Sequence, residues 1–277
     1  MSQRHIAIIG YGAIASELIP VLYGQPEAGP DRLSLLVRAA RQDAVRRSVS
    51  QQLGQSQIQV EVLSNLENLL ARQPDLVVEC AGHGAVANYG VRILEQGCDF
   101  LIASVGALAD NDLLAQLTKA ARDGGSQLIV PAGAIGGIDA LGAARLSGLT
   151  SVSYVGRKPP LAWAGTQAGS ADELAALTEE KQIFSGSASE AARLFPKNAN
   201  VAATLALAGM GMEETRVSLI ADPLANVNSH EFEVESAALN FSMRLVGKPS
   251  PANPKTSRST VFSIARAVLA RDQAIVI

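Results

Sequence analysis

Along the first half of the chain, short apolar runs alternate with segments of helical periodicity. The runs are His5–Gly10, Leu33–Arg38, Gln59–Leu63, Asp75–Cys80, Asp99–Val105 and Gln127–Pro131. Within them IAII, LSLLV, DLVVE, FLIAS and QLIV are near-continuous apolar stretches, the pattern of parallel strands covered on both faces. Helical patterns lie between them, among them Asn65–Arg72, Val86–Glu95 and Asp112–Arg122. Strand and helix in regular succession predict βαβ units and a doubly wound parallel sheet of the Rossmann kind.

After about residue 132 the pattern changes. Leu149–Val155 reads as a strand and is followed by a Pro- and Gly-containing stretch, Arg157–Ser170. Helical segments are expected at Ala171–Glu180, Ala188–Leu194 and Val201–Ala208, then strands at Thr215–Ala221, Ser229–Glu235 and Ala238–Val246. The last strands alternate: Leu239, Phe241, Met243 and Leu245 share one face, with Asn240, Ser242 and Arg244 on the other. That alternation predicts a mostly antiparallel sheet with one covered face. A polar, Pro-containing loop, Lys248–Ser257, leads to a last helix at Ser259–Ala270. The expected organisation is a dinucleotide-binding domain over residues 1–132 and an α+β substrate and dimerisation domain over 133–247. A loop and terminal helix follow over 248–277, the helix packing back on the first domain.

The first strand ends in Gly10-Tyr11-Gly12-Ala13-Ile14-Ala15, a GxGxxA fingerprint. Gly10 permits the tight turn. Gly12 lets backbone amides of the following residues, Ala13 and Ile14, approach a pyrophosphate at a helix start. The position after a strand and before a helix is the context the fingerprint needs; without a ligand the same residues make a tight strand–helix turn. NAD-selective folds usually place a carboxylate at the end of the second strand. Here that strand ends Leu36-Val37-Arg38, and Arg38 suits a 2′-phosphate or stands as a solvated surface group. NADP is therefore expected to be accepted alongside NAD. Three further strand ends are built of small residues: Glu79-Cys80-Ala81-Gly82-His83-Gly84, Ser104-Val105-Gly106-Ala107 and Pro131-Ala132-Gly133-Ala134-Ile135-Gly136-Gly137. Small residues at adjacent strand ends leave room for a cofactor, with Ala81 and Gly82 close to it.

Composition narrows the chemistry. The chain has 277 residues, 23 Lys and Arg against 26 Asp and Glu, and 48% hydrophobic residues. That apolar fraction excludes a disordered protein, and the charge balance argues against a broad nucleic-acid-binding face. Two Cys and three His argue against a disulfide scaffold or a dedicated zinc site, and imidazole chemistry has few candidates. The N-terminal apolar run is too short for a signal peptide and no run approaches a membrane span, so a cytoplasmic protein is expected.

Of the three His, His230 shares parity with Phe232 and Val234, while Glu231, Glu233 and Glu235 alternate with it. It therefore faces the covered side at the mouth of a strand. A satisfied core residue and a general acid/base both fit there, since imidazole titrates near neutral pH. Phe195-Pro196-Lys197-Asn198-Ala199-Asn200 precedes an Ala-rich helix. Asn198 or Asn200 is an N-cap candidate; an amide there also suits a carboxamide or carboxylate ligand. Lys197 and Lys158 are cationic candidates for an acidic substrate.

These motifs together resemble L-aspartate dehydrogenases. The resemblance runs through Gly10–Ile14, Glu79–His83, Pro131–Leu141, Phe195–Thr204, Ala221–Glu231 and Asn253–Ser257, in order over essentially the whole chain. It implies hydride transfer from Cα of L-aspartate to NAD or NADP, giving iminoaspartate, then oxaloacetate and ammonia. The reverse is reductive amination, and the imine is a possible feed for NAD biosynthesis. It also implies that His230 is the active-site residue and that Ala134 and Asn200 contact the cofactor. His83, Lys197 and Asn198 are candidates for the substrate carboxylates, and no metal is expected. Ala15 departs from the usual third Gly. A homodimer is expected from the second sheet. The alternatives are a homoserine-dehydrogenase-like or dihydrodipicolinate-reductase-like oxidoreductase, or a dinucleotide sensor without turnover.

Overall fold

The apolar runs of the first half fold into one parallel sheet. In the computed structural model, which describes residues 4–24, 29–54, 58–196, 198–248, 250 and 257–275, the chain divides into two units. One comprises residues 1–131 with 261–277, the other residues 132–260.

The first unit carries strands β1 (His5–Ile9), β2 (Arg32–Leu36), β3 (Gln59–Leu63), β4 (Leu76–Glu79), β5 (Asp99–Ile102) and β6 (Leu128–Ile129). They lie in the order β3-β2-β1-β4-β5-β6, all pairs parallel. This is the doubly wound order whose reversal beside β1 leaves a crevice beyond the strands' carboxyl ends. Helices α1 (Ala13–Tyr23), α2 (Gln42–Leu53), α3 (Leu66–Leu70), α4 (His83–Glu95) and α5 (Asn111–Gly124) connect the strands. The core on one side joins Ile6, Ile8, Leu33, Leu35 and Val78 to Leu18, Ile19 and Leu22 of α1. Val261, Ile264, Ala265 and Val268 of the last helix, α10 (Arg258–Leu269), belong to the same core.

The second unit holds α6 (Ile138–Ser147), β7 (Leu149–Lys158), α7 (Ala171–Ala175), β8 (Lys181–Ser187), α8 (Ala188–Leu194), α9 (Asn200–Ala208), β9 (Arg216–Ala221), β10 (Ser229–Ser236) and β11 (Phe241–Val246). The sheet order is β11-β10-β7-β9-β8. Three pairs are antiparallel, but β7 and β9 run parallel. The long helical connection between those two strands allows it, since a parallel pair needs a crossover. One face carries Val152, Tyr154, Val217, Leu219, Phe232 and Val234, all buried. Helix α6 packs on β7 and β10 and against α9.

Three local readings are corrected. Helix α7 stops at Ala175 rather than Glu180, and the following segment is recruited as edge strand β8 by antiparallel pairing with β9. Leu239 lies in a turn before β11, because Ser236 Oγ and Asn240 Oδ1 close residues 236–240 by hydrogen bonds of 2.6–3.1 Å. Strand β7 runs on to Lys158, three residues beyond the sequence boundary, because its pairing with β10 and β9 continues past Val155. Most of the Lys248–Ser257 loop, including Asn253–Thr256, lies outside the described residues.

Candidate active site

In the first unit the strand ends meet around a cavity of about 490 Å³ lined by Gly10, Gly12, Arg38, Arg41, Ser64, Ala81 and Asn88, among others. Gly10 adopts φ +90°, and a Cβ there would stand 2.8 Å from Ala81 Cβ and 2.9 Å from the Cys80 carbonyl. Only glycine lets the β1 and β4 loops approach so closely. A Cβ built at Gly12 meets no protein atom within 4 Å, so that flank of the loop is open to a ligand. Ala13 and Ile14 open α1, whose start has no side-chain cap and no acidic residue in its first turn. Its first amides are therefore free to meet an anion.

The neighbouring loops are held by a carboxylate buried from solvent. Glu79 Oε1 accepts from the amides of Ala81 and Gly82, both at 2.6 Å, and from Ser104 Oγ at 3.1 Å. Its Oε2 accepts from the Ser104 amide at 3.0 Å. One side chain thus ties the β4 and β5 ends together. Gly82 caps α4 without a side chain, and His83 is the first residue of that helix, half-buried. Arg38 is exposed at the end of β2, just before a short 3₁₀ turn containing Arg41. No carboxylate is among the residues lining this cavity.

Helix starts differ in this respect, and α2, which begins from Arg41, also has no side-chain cap. Side chains of Asn65, Asp110, Ser170 and Ser187 cap α3, α5, α7 and α8. The helices that begin at the glycine and alanine loops, α1, α4, α6 and α9, start from Gly12, Gly82, Gly137 and Ala199 with no side-chain cap. Asn198 and Asn200 are therefore not N-caps: Ala199 occupies that position, and Asn200 is the first helical residue. Asn198 instead turns its Oδ1 towards Lys158.

In the second unit the chemistry is carried by side chains. His230 is buried on β10, opposite Gly156 of β7 and Leu245 of β11. Tyr154 and Lys158 flank Gly156 two residues to either side on the same strand face. Tyr154 Oη bonds His230 Nδ1 at 2.7 Å, and the two rings stack. Glycine at 156 is required, since a Cβ there would stand 2.7 Å from Tyr154 Oη and 3.2 Å from Leu219 Cδ2. Lys158 Nζ donates to Asn198 Oδ1 at 2.6 Å and lies 4.9 Å from the Trp163 ring centroid. Burial lowers the Lys158 ammonium to about 8. Burial first, and then the Lys158 charge, pushes His230 down to about 4. Burial raises Tyr154, so its phenol keeps its proton. The expectation of an imidazole titrating near neutral pH is thus corrected for the protein without ligand: desolvation and a neighbouring cation hold it neutral.

The loop carrying Ala134 stays in this unit. Gly136 lies against Met243 and Leu245, the latter directly opposite His230. Lys197 lies outside the described residues. Tyr154 and Glu79 escaped the sequence reading. Tyr154 reads as one more core aromatic in an alternating strand, and a buried Glu at a strand end has no local signature. Burial raises the thiols of both Cys80 and Cys98, so neither offers a thiolate near neutral pH. Among the described residues no group of three or more His, Cys, Asp or Glu is placed to hold a metal ion. None of their helices is long and apolar enough to cross a membrane.

Comparison with known proteins adds a further set of findings. Residues 139–271 match the family described as "Aspartate dehydrogenase, C-terminal", and residues 10–131 match "Homoserine dehydrogenase, NAD binding domain". An L-aspartate dehydrogenase of Polaromonas sp. is 47% identical over 98% of this chain and 99% of its own length. One from Pseudomonas aeruginosa is 46% identical over 95% of this chain and 96% of its own. The crystal structure of aspartate dehydrogenase from Thermotoga maritima superposes with a TM-score of 0.76 at 26% identity, covering 99% of each chain.

Proposed function

Since this chain belongs to the L-aspartate dehydrogenase family, we propose that it oxidises L-aspartate with NAD or NADP, and that His230 is its acid–base residue. The products are oxaloacetate, ammonia and the reduced dinucleotide, with reductive amination as the reverse.

The residues of the first unit fit a dinucleotide. Gly10, Gly12, Ala13 and Ile14 offer the uncapped helix start to a pyrophosphate, and Ala81 and Gly82 line the neighbouring strand end. Arg38, with Arg41 beside it, offers a guanidinium to a 2′-phosphate, and no acidic residue of the cavity competes for it. That arrangement supports acceptance of NADP. The family resemblance adds Ala134 and Asn200 as proposed cofactor contacts. When bound, the nicotinamide supplies the hydride acceptor.

The chain's own contribution is proton handling, and the Tyr154–His230 pair is the single observation that carries it. The amine of aspartate loses a proton before hydride leaves Cα, and the resulting imine takes up water. His230 Nε2 has no partner among the described residues, while Nδ1 is held by Tyr154. A hydroxyl both donates and accepts, so Tyr154 supports Nδ1 while a proton comes or goes at Nε2. His83 and Asn198 remain candidate substrate contacts.

The test is a direct assay of dinucleotide reduction with L-aspartate, and of its oxidation with oxaloacetate plus ammonia, beside homoserine and dihydrodipicolinate. Turnover confined to aspartate and oxaloacetate supports the assignment. Turnover of another substrate alone, or dinucleotide binding without any turnover, overturns it. The reading extends to a cytoplasmic homodimer; β11 is an edge strand with Val246 exposed, which a second copy would cover. Light scattering that found a monomer would remove that part.

A further inference from the structure

Lys158 is the only Lys or Arg among the described residues that is buried. We propose that the Lys158–Asn198 pair is the anion anchor of the site, receiving a carboxylate of the substrate beside His230. This rests on the reading that the substrate is a dicarboxylate amino acid.

The surroundings of Lys158 account for its charge poorly unless an anion joins them. Its partners are an amide oxygen, Asn198 Oδ1 at 2.6 Å, and the face of Trp163. No carboxylate among the described residues is within ion-pairing distance of it. The acidic groups brought to the neighbouring strand residue are committed elsewhere: Asp222 and Glu180 both pair with Arg157, and Asp222 also accepts from the Leu224 amide. Facing Lys158 are His230 from β10, Tyr154 on its own strand, Asn198 from the loop before α9 and Trp163 from the turn after β7. None of these is anionic at neutral pH. A buried cation without a counter-charge is a cost to the fold, and such groups are retained where a ligand supplies the missing partner.

The supporting frame is held by hydrogen bonds and ring packing. Trp163 Nε1 donates to the Ile220 carbonyl at 3.2 Å, and its ring meets Phe195 edge-on. The Asn198 amide donates to the Phe195 carbonyl at 2.8 Å, which fixes the loop that aims Oδ1 at Lys158. The amide of Asn198 also carries N–H donors, so the pair presents an ammonium and an amide to the same carboxylate.

The anchor has a consequence for His230. The Lys158 charge is one of the two causes that depress the imidazole. A carboxylate on Lys158 offsets that charge and shifts both groups upward. Substrate binding then brings His230 towards the range in which it can exchange a proton, and couples binding to proton uptake.

The experiment uses the full chain with reduced dinucleotide bound and succinate, a dicarboxylate that cannot be oxidised at a Cα amine, as the probe. Calorimetric titration near pH 8, the pKa of Lys158, in two buffers of different ionisation heat measures affinity and protons together. Wild type is expected to take up a fraction of a proton per succinate bound. Lys158→Gln is expected to weaken succinate at least about 30-fold, as loss of a buried charged hydrogen bond does, to abolish the uptake, and to raise KM for L-aspartate in parallel. Lys158→Arg is expected to recover part of the affinity. Unchanged dinucleotide affinity in both variants verifies that they are folded. Succinate binding to Lys158→Gln within about threefold of wild type, or with undiminished proton uptake, overturns the anchor. Wild type that binds succinate with uptake but does not oxidise L-aspartate overturns the proposed activity and leaves the anchor standing.

Discussion

The two units present chemistry in opposite ways. In the dinucleotide unit the candidate site is backbone: uncapped amides at α1, small residues at 10, 12, 81 and 82, and a buried carboxylate, Glu79, whose hydrogen bonds are all spent on shaping loops. In the second unit the site is side chain: Tyr154, Lys158, Asn198 and His230, gathered from β7, β10 and the loop before α9. Backbone amides do not titrate, so the first site binds one class of ligand across a wide pH range. Buried ionisable groups do titrate, and their neighbours tune them. The difference teaches where pH and mutation will act.

The largest expected effect tests the side-chain unit. His230→Ala is expected to lose about 10²–10⁴-fold in kcat, the usual share of general acid–base catalysis, while dinucleotide affinity stays near wild type. A variant with wild-type turnover, or one whose main loss is in dinucleotide binding, breaks the division. In the backbone unit, Arg38→Ala is expected to shift the NADP-to-NAD preference by about 10–100-fold towards NAD, the worth of a charged hydrogen bond. Steady-state kinetics with each cofactor measures this, and an unchanged ratio would return Arg38 to the solvated surface.

Glu79→Gln sharpens the comparison from the structural side. The amide keeps an acceptor but turns an NH₂ towards backbone donors. The expected cost is about 2 kcal/mol, or a Tm lower by about 4–8 °C for a chain of this size, with weaker dinucleotide binding and an unaltered pH profile of kcat. A changed pH profile would place Glu79 in the proton chemistry instead. Tyr154→Phe is smaller, about three- to tenfold in kcat, with a displaced pH profile and no change in dinucleotide affinity.

The last effect is on stability. His230 is lowered from 6.5 to about 4 in the folded chain, so between those values the unfolded chain binds a proton that the folded one refuses. Stability therefore falls as pH drops from about 6.5 through 4, and levels off below. Thermal melts of wild type against His230→Asn across that window should differ in slope, the variant being flatter.

Much of the first unit was legible because its signals are local. The GxGxxA turn, the apolar runs and the strand-end loops each occupy a few consecutive residues, and the parallel sheet follows from their succession. His230 was legible by parity, since β10 alternates cleanly between Phe232 and Val234 on one side and the glutamates on the other. Tyr154 was not, because a tyrosine among alternating residues reads as core until its hydroxyl has a partner 76 positions away. Lys158 appeared as one of two cationic candidates, in what read as a Pro- and Gly-containing stretch. Only pairing with β9 and β10 extends β7 far enough to turn it inward.

By itself, the sequence determined the layer architecture, the dinucleotide cradle and the covered face on which His230 lies, because periodicity and glycine placement act over a few residues. The tertiary structure alone decided what that imidazole touches, which lysine is buried beside it and why both titrate below their ordinary ranges. Those properties depend on desolvation and on charges from separate strands, and no stretch of chain encodes them until the strands are side by side.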